Sequence, residues 1–126
     1  MSLLLDTHVL LWSGYEADAL DPALRGRIAD PATGVFVSAA SAWEIAIKRR
    51  MGKLALSIDT GALTDALGFS ALPISLAHAE AAGRLDWAHR DPFDRMLVAQ
   101  AREETLTLVT ADRAILAFLP EAVSAR

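Results

Sequence analysis

The chain has 126 residues, of which 53% are hydrophobic and 22% are charged, and it contains no cysteine. This composition excludes intrinsic disorder, disulfide scaffolds, thiolate metal sites and cysteine nucleophiles. The formal charge of −4, from 16 acidic against 12 basic residues, argues against a basic surface for nucleic acid. We expect a single domain over residues 1–126. We also expect a cytoplasmic protein without a membrane segment, because no stretch has the roughly 20 apolar residues that a span requires.

Short apolar runs alternate with longer helical patterns. In chain order the sequence predicts a strand at 3–5, helices at 7–13 and 22–29, a strand at 35–37, a helix after Ser38 or Ser41 to about 50, a helix at 59–68, an extended piece at 72–74, helices at 76–83 and 92–104, a strand at 106–109 and a helix at 111–118. Gly14 is predicted to end the first helix. The alternation predicts an α/β fold with a mostly parallel sheet, in which ligands bind beyond the carboxyl ends of the strands.

Carboxylates follow two of these strands. Asp6 follows the strand at 3–5 and Asp112 follows the strand at 106–109, with the hydroxyl residues Thr7 and Thr110 beside them. Each acid also stands where a helix begins, so a capping role explains it equally well when it is taken singly. Thr110 also has two interpretations: its hydroxyl contacts a bound water, or it caps the last helix.

Glu44 is the acid that capping does not explain. It lies inside the helix after the strand at 35–37, in a segment (39–47) that is otherwise free of charge. A carboxylate in such a segment is expected to be partly buried and therefore paired. Lys48, four residues further on, is one possible partner, and a divalent cation is the other.

Asp94 opens the long helix, after Asp91 as its predicted N-cap and Pro92 as its first residue. Carboxylates gathered in one crevice repel one another and raise one another's pKa unless a cation neutralises them. Mg²⁺ and Mn²⁺ are the cations that suit oxygen ligands, and such ions activate water and clamp phosphodiesters.

Four segments together resemble the PIN-domain ribonucleases and, within them, the VapC toxins of bacterial toxin–antitoxin pairs. The segments are LLDTHVLLW at 4–12, SAASAWEIAIK at 38–48, HRDPFDRMLVAQA at 89–101 and VTAD at 109–112. They occur in the family's order and span nearly the whole chain. The resemblance implies a three-layer α/β/α domain, metal-dependent RNA cleavage, a homodimer and a small antitoxin of the VapB kind that occupies the site.

By the same resemblance, Asp6, Glu44, Asp94 and Asp112 form the acidic quartet that holds Mg²⁺ or Mn²⁺. Thr7, Thr110, Asp91 and Arg95 are accessory candidates, and Arg95 either orients a carboxylate or phosphate or makes a salt bridge without a catalytic part. Lys48, Arg49, Arg50 and Arg90 are candidate RNA contacts, although a solvated helix end explains the basic run as well.

The remaining aromatic and histidine residues receive no catalytic role from the sequence. Trp12 and Trp43 lie in apolar helices, which favours core or dimer contacts over base stacking. His8, His78 and His89 show no metal-ligand spacing. His89 is expected on a loop surface, with a contact to substrate phosphate as the alternative.

Two other functions stay open at this level, a phosphoaspartate or receiver-like domain and a non-catalytic binding module on the same scaffold. The first would need a second acid beside Asp6 and a lysine near a later strand end, whereas Lys48 and Lys53 are the only lysines.

The net charge of −4 no longer argues against nucleic acid if the quartet binds metal. Without those four acids, 16 − 4 leaves 12 acidic against 12 basic residues, so the rest of the chain is neutral.

Overall fold

A computed structural model describes residues 2–126 of the chain. Its elements, in chain order, are β1 (Ser2–Leu5), α1 (Thr7–Tyr15), a 3₁₀ helix (Ala17–Ala19), α2 (Pro22–Ala29), β2 (Gly34–Ser38), α3 (Ala39–Arg50), α4 (Thr60–Ala66), β3 (Ser70–Leu72), α5 (Leu76–Arg84), α6 (Pro92–Glu103), β4 (Thr107–Thr110), α7 (Arg113–Phe118) and β5 (Val123–Ser124). The predicted alternation of strands and helices is confirmed.

The strands form one parallel sheet in the order β3-β2-β1-β4-β5, which confirms the α/β class. β1 is central, with β2 on one side and β4 on the other. The chain leaves β1 towards β2 and later returns to β4, so a crevice opens between the carboxyl ends of β1 and β4. The hydrogen bond from Asp6 N to Val109 O (2.9 Å) extends the pairing of these strands to the crevice.

Helices cover both faces of the sheet, because the central strand is apolar on both. Leu3 and Leu5 pack with residues of α1 and α2, whereas Leu4 packs on the opposite face with residues of α6 and α7. All three leucines are fully buried. Each contributes about 2 kcal/mol of burial to stability, so the strand that carries Asp6 is firmly anchored.

Most helices begin at a side chain that accepts hydrogen bonds from the first free backbone N–H groups. Asp21, Ser38, Asp59, Ser75, Asp91 and Asp112 act in this way. The starts predicted at Asp21 and Asp91 are therefore confirmed, and Ser38 rather than Ser41 caps α3. The last helix begins two residues later than predicted because Asp112 is its cap.

Two local predictions are wrong for identifiable reasons, and one short strand was missed. α1 continues through Gly14 to Tyr15, and a Cβ at Gly14 would lie 2.9 Å from Leu63 Cδ1, so this glycine allows close packing rather than ending the helix. The extended piece predicted at 72–74 is a strand that stops before Pro73, whose missing N–H cannot continue the pairing. The two-residue strand β5 was not predicted.

No helix within residues 2–126 combines the length and the apolar character that a membrane crossing requires.

Candidate active site

Asp6 lies at the carboxyl end of β1, and both of its carboxylate oxygens accept hydrogen bonds. Its Oδ1 accepts from the backbone N–H of Thr7 (2.6 Å), and its Oδ2 accepts from the hydroxyl of Thr110 (2.6 Å). Thr110 Oγ1 also accepts from the N–H of Asp112 (3.0 Å). Thr110 therefore joins the acids that follow β1 and β4, and it fixes the orientation of Asp6.

Glu44 lies on α3 with 16% of its side chain exposed, as the charge-free segment predicted. Its Oε1 accepts from the hydroxyl of Thr7 (2.7 Å), and its Oε2 pairs with Lys48 Nζ (2.9 Å). The Thr7 hydroxyl is also 2.9 Å from the buried Ser41 Oγ, a partner that no pattern in the sequence indicates. Of the two partners predicted for Glu44, the structure shows Lys48.

Asp94 lies in the first turn of α6, and its Oδ2 is 2.7 Å from Nε2 of His89. Its neighbours Asp91 and Asp112 use Oδ1 as helix caps, at 2.8–3.1 Å from the backbone N–H groups they accept from. The capping interpretation of Asp91 and Asp112 is thus confirmed as a structural role, whereas no backbone N–H within residues 2–126 donates to the carboxylate of Asp94.

Arg95 makes neither of the carboxylate contacts predicted from its place beside Asp94. Its guanidinium donates to the backbone carbonyls of Ala82, Gly83, Leu85, Trp87 and His89, at 2.7–3.5 Å. It orients no carboxylate and forms no salt bridge within residues 2–126. Arg95 is instead a clamp that fastens the segment between α5 and α6 onto the first turn of α6.

One crevice of about 390 Å³ brings the predicted acids together. Its lining includes Asp6, His8, Trp12, Glu44, Lys48, Asp91, Asp94 and Asp112. Of the candidate RNA contacts only Lys48 lines it, whereas Arg49, Arg50 and Arg90 are exposed beyond it. The crevice is therefore rich in carboxylates with a single lysine.

The two tryptophans differ in burial, because Trp12 is partly buried against the core whereas Trp43 is 58% exposed. Trp43 contacts Phe93 edge to face at 5.1 Å, so of its two predicted roles, core or dimer contact, the structure excludes the core. It heads an exposed apolar stripe on α3, with Ile47 and Met51 at intervals of four residues. Trp12 lies under the guanidinium of Arg126, 4.0 Å from the ring centre.

Burial raises the pKa of two of the crevice acids, Asp6 and Asp94. Burial raises the pKa of Asp6 above its ordinary value of 3.8, although the hydrogen bonds from Thr110 and Thr7 act against it. Burial also raises the pKa of Asp94, from 3.8 to about 6, and the charges of nearby acids add to the rise. Each carboxylate is therefore held in a place where its charge is costly without a cation.

We expect the metal-free protein to lose stability as the pH rises from about 4 to about 6. The unfolded chain releases the Asp94 proton near 3.8 and the folded chain near 6, so the folded state holds more protons across this window. The effect is below the roughly 3 kcal/mol that the shift in pKa would give without solvent screening, because the carboxylate is only partly buried. Urea unfolding in EDTA at several pH values measures it, with Asp94→Asn as the comparison. Parallel pH profiles for the two proteins would contradict the assignment.

The donor set of the crevice fits a hard divalent cation. Five carboxylates line it, and one ligand atom each from His89, Asp91 and Asp94 lie within 4.8 Å of one another. Across residues 2–126 no other three such atoms lie this close, so the predicted quartet shares the crevice without converging as tightly. Mg²⁺ keeps several waters and binds through one or two carboxylates, which suits so wide an arrangement.

The fold is similar to solved toxin–antitoxin structures. A toxin–antitoxin complex from Klebsiella pneumoniae matches at 20% identity and a TM-score of 0.70, covering 98% of each chain. VapBC2 from Rickettsia felis, bound to a DNA fragment from its promoter, matches at 15% identity and 0.70, covering 98% of this chain and 97% of the other. FitAcB from Neisseria gonorrhoeae matches at 18% and 0.58, covering 98% and 96%.

At these identities the structural likeness shows the fold alone. No curated protein is significantly similar to the chain in sequence. The sequence model of the PIN domain, however, matches residues 3–118, a range that contains all the helices, the crevice and every predicted site residue. The chain therefore belongs to the PIN-domain family.

Proposed function

We propose that this protein is a Mg²⁺- or Mn²⁺-dependent endoribonuclease that hydrolyses RNA phosphodiester bonds in the crevice. One observation carries the proposal. In a chain of the PIN-domain family, the carboxylates of Asp6, Glu44, Asp94 and Asp112 line one crevice at the carboxyl ends of β1 and β4. Neither the phosphoaspartate alternative nor the non-catalytic module explains why charges that repel one another are gathered and buried there.

Asp6 and Asp94 are the residues that would hold the cation most directly, because burial makes their charges the most in need of one. Glu44 and Asp112 would complete the site from its two sides. A bound divalent ion supplies Lewis-acid activation of a water and stabilises the charge that develops on the phosphate. Thr110 keeps Asp6 in place for this task.

Side chains of the crevice would attract the phosphate and transfer the proton of the attacking water. Lys48 lies at the crevice, where its ammonium can attract a phosphate that approaches the acids. A crevice carboxylate takes the proton of the attacking water as its oxygen bonds to phosphorus. The P–O bond on the opposite side breaks, and the leaving oxygen regains a proton from solvent.

The test is cleavage-site mapping on total RNA with the purified protein and Mg²⁺ or Mn²⁺. We expect defined new RNA ends that require the metal and appear at few positions. Heat-inactivated protein is the control for contaminating nuclease. Intact RNA under every metal condition would favour the non-catalytic module, and cleavage of DNA instead would overturn the substrate class.

We also propose that the protein is the toxin of a type II toxin–antitoxin pair, acts in the cytoplasm, and is inhibited by a VapB-like antitoxin. Support comes from two of the similar structures, a toxin–antitoxin complex from Klebsiella pneumoniae and VapBC2 from Rickettsia felis. Induced expression of the chain alone should stop bacterial growth. Normal growth with abundant, folded protein would contradict this role.

A homodimer is the assembly we propose. It is supported by the exposed apolar stripe on α3, formed by Trp43, Ile47 and Met51, because contiguous apolar residues at the surface commonly mark association. Light scattering on the purified chain should give twice its mass of 13.5 kDa. A monomer at micromolar concentration would contradict the proposal.

A further inference from the structure

A histidine lies against one carboxylate of the crevice. Nε2 of His89 is 2.7 Å from Oδ2 of Asp94, with 29% and 14% of the two side chains exposed. This distance is that of a charge-assisted hydrogen bond. The contact joins the loop before α6 to the first turn of α6, across five residues of sequence.

The backbone of His89 is held in place by the residue that follows Asp94. Arg95 Nη1 donates to the carbonyls of Trp87 (2.7 Å) and of His89 itself (3.1 Å), and Nη2 donates to Leu85 O (2.9 Å). Hydrogen bonds from a charged group are stronger than those between neutral groups, and three of them act on one short loop here. The histidine and its carboxylate are thus fixed to the same helical turn.

The imidazole ring is also oriented by packing. It lies against the indole of Trp87, with centroids 4.6 Å apart and planes at 33°. Trp87 in turn stacks on Phe118 of α7, at 4.5 Å and 11°. The ring plane of His89 is therefore set by an aromatic stack that reaches the core, independently of the contact with Asp94.

We propose that His89 is a positioning residue for Asp94. By donating its Nε2–H to Oδ2, it fixes the carboxylate so that Oδ1 faces the crevice and remains available to a divalent cation. The inference rests on the proposed function, since it takes the crevice to be a metal site. Direct ligation by Nε2 fits less well, because a ring nitrogen that donates its hydrogen to Oδ2, at 2.7 Å, has no lone pair to offer a cation.

The test measures Mn²⁺ binding by calorimetry on the full chain and its variants. His89→Ala should weaken Mn²⁺ binding roughly 10- to 100-fold, the usual cost of losing a partner that orients a metal ligand. His89→Gln should recover most of the affinity, because its amide N–H can still donate to Asp94. Asp21→Asn is the control. Asp21 caps α2 and does not line the crevice, so this substitution should leave Mn²⁺ affinity unchanged.

Electron spin echo spectroscopy of the Mn²⁺-loaded protein separates positioning from ligation. We expect no nitrogen coupling from a directly bound imidazole, and a strong coupling that disappears in His89→Ala would overturn the positioning role. Unchanged affinity in a folded His89→Ala protein, checked by circular dichroism, would overturn the inference while leaving the proposed function intact. Failure of the unmodified chain to bind Mn²⁺ would overturn the metal site itself and the role of His89 with it.

Discussion

Asp6→Asn is expected to abolish RNA cleavage while the protein remains folded. Asp6 is the most buried of the crevice acids, 7% exposed, and it stands on the central strand. The substitution removes its charge but keeps nearly the same shape, so the attraction for a divalent cation is lost. A metal ion contributes several kcal/mol of transition-state stabilisation, which corresponds to a loss of roughly 10²- to 10³-fold in cleavage rate. A fluorogenic RNA assay in Mg²⁺ measures it.

The fold of this variant should be at least as stable as that of the unmodified protein in EDTA. Burial raises the pKa of Asp6, so an uncharged amide is less costly at that position. Asp21→Asn is the matched control, because Asp21 caps α2 outside the crevice and asparagine caps a helix equally well. It should retain full cleavage. Substantial activity in Asp6→Asn would contradict the role of Asp6, and growth arrest by that variant would separate toxicity from cleavage.

The part of the site that could be predicted from sequence is the part set by local rules. Short apolar runs followed by Asp6 and Asp112 are visible in the sequence, and parallel strands bring their carboxyl ends to one edge. Glu44 was identifiable because a lone carboxylate in an apolar segment needs a partner. These signals depend on neighbours within a few residues, and the structure places all three acids in one crevice.

The residues that sequence reasoning missed depend on contacts between distant segments. His89 has no ligand spacing, and its contact with Asp94 exists because Arg95 fastens the loop that carries it. Ser41 meets Thr7 across 34 residues of sequence. Such contacts follow from the packing of α1, α3 and α6. The hydrophobic pattern shows which face of each helix is buried, but it does not show which residues of two packed helices meet.

Gly14 and Trp43 show how tertiary context overrides a local rule. A glycine near the end of a helical pattern normally marks its end, yet α1 continues through Gly14, where it packs closely against Leu63. An aromatic residue in an apolar helix normally lies in the core, yet Trp43 is 58% exposed. In both cases the neighbour that decides the outcome comes from another element, Leu63 of α4 or Phe93 of α6.

Removal of divalent metal is expected to abolish cleavage and to weaken RNA binding by on the order of tenfold or more. The reason lies in the charge of the crevice, where five carboxylates face one lysine, and Lys48 is already paired with Glu44 at 2.9 Å. RNA phosphate would meet net negative charge there. Outside the predicted quartet the chain has 12 acidic and 12 basic residues, so no excess of positive charge compensates.

Fluorescence anisotropy of labelled RNA, read immediately after mixing and before cleavage proceeds, measures this dependence in EDTA and in increasing Mn²⁺. Affinity should rise with metal in the unmodified protein but not in Asp6→Asn, whereas Asp21→Asn should follow the unmodified protein. Salt must be held constant, because binding to phosphate weakens with ionic strength in any case. Equal RNA affinity with and without metal would place the RNA on the exposed arginines Arg49, Arg50 and Arg90 rather than in the crevice. In that case the negative charge of the crevice would not affect RNA binding, and the metal would act in cleavage but not in binding.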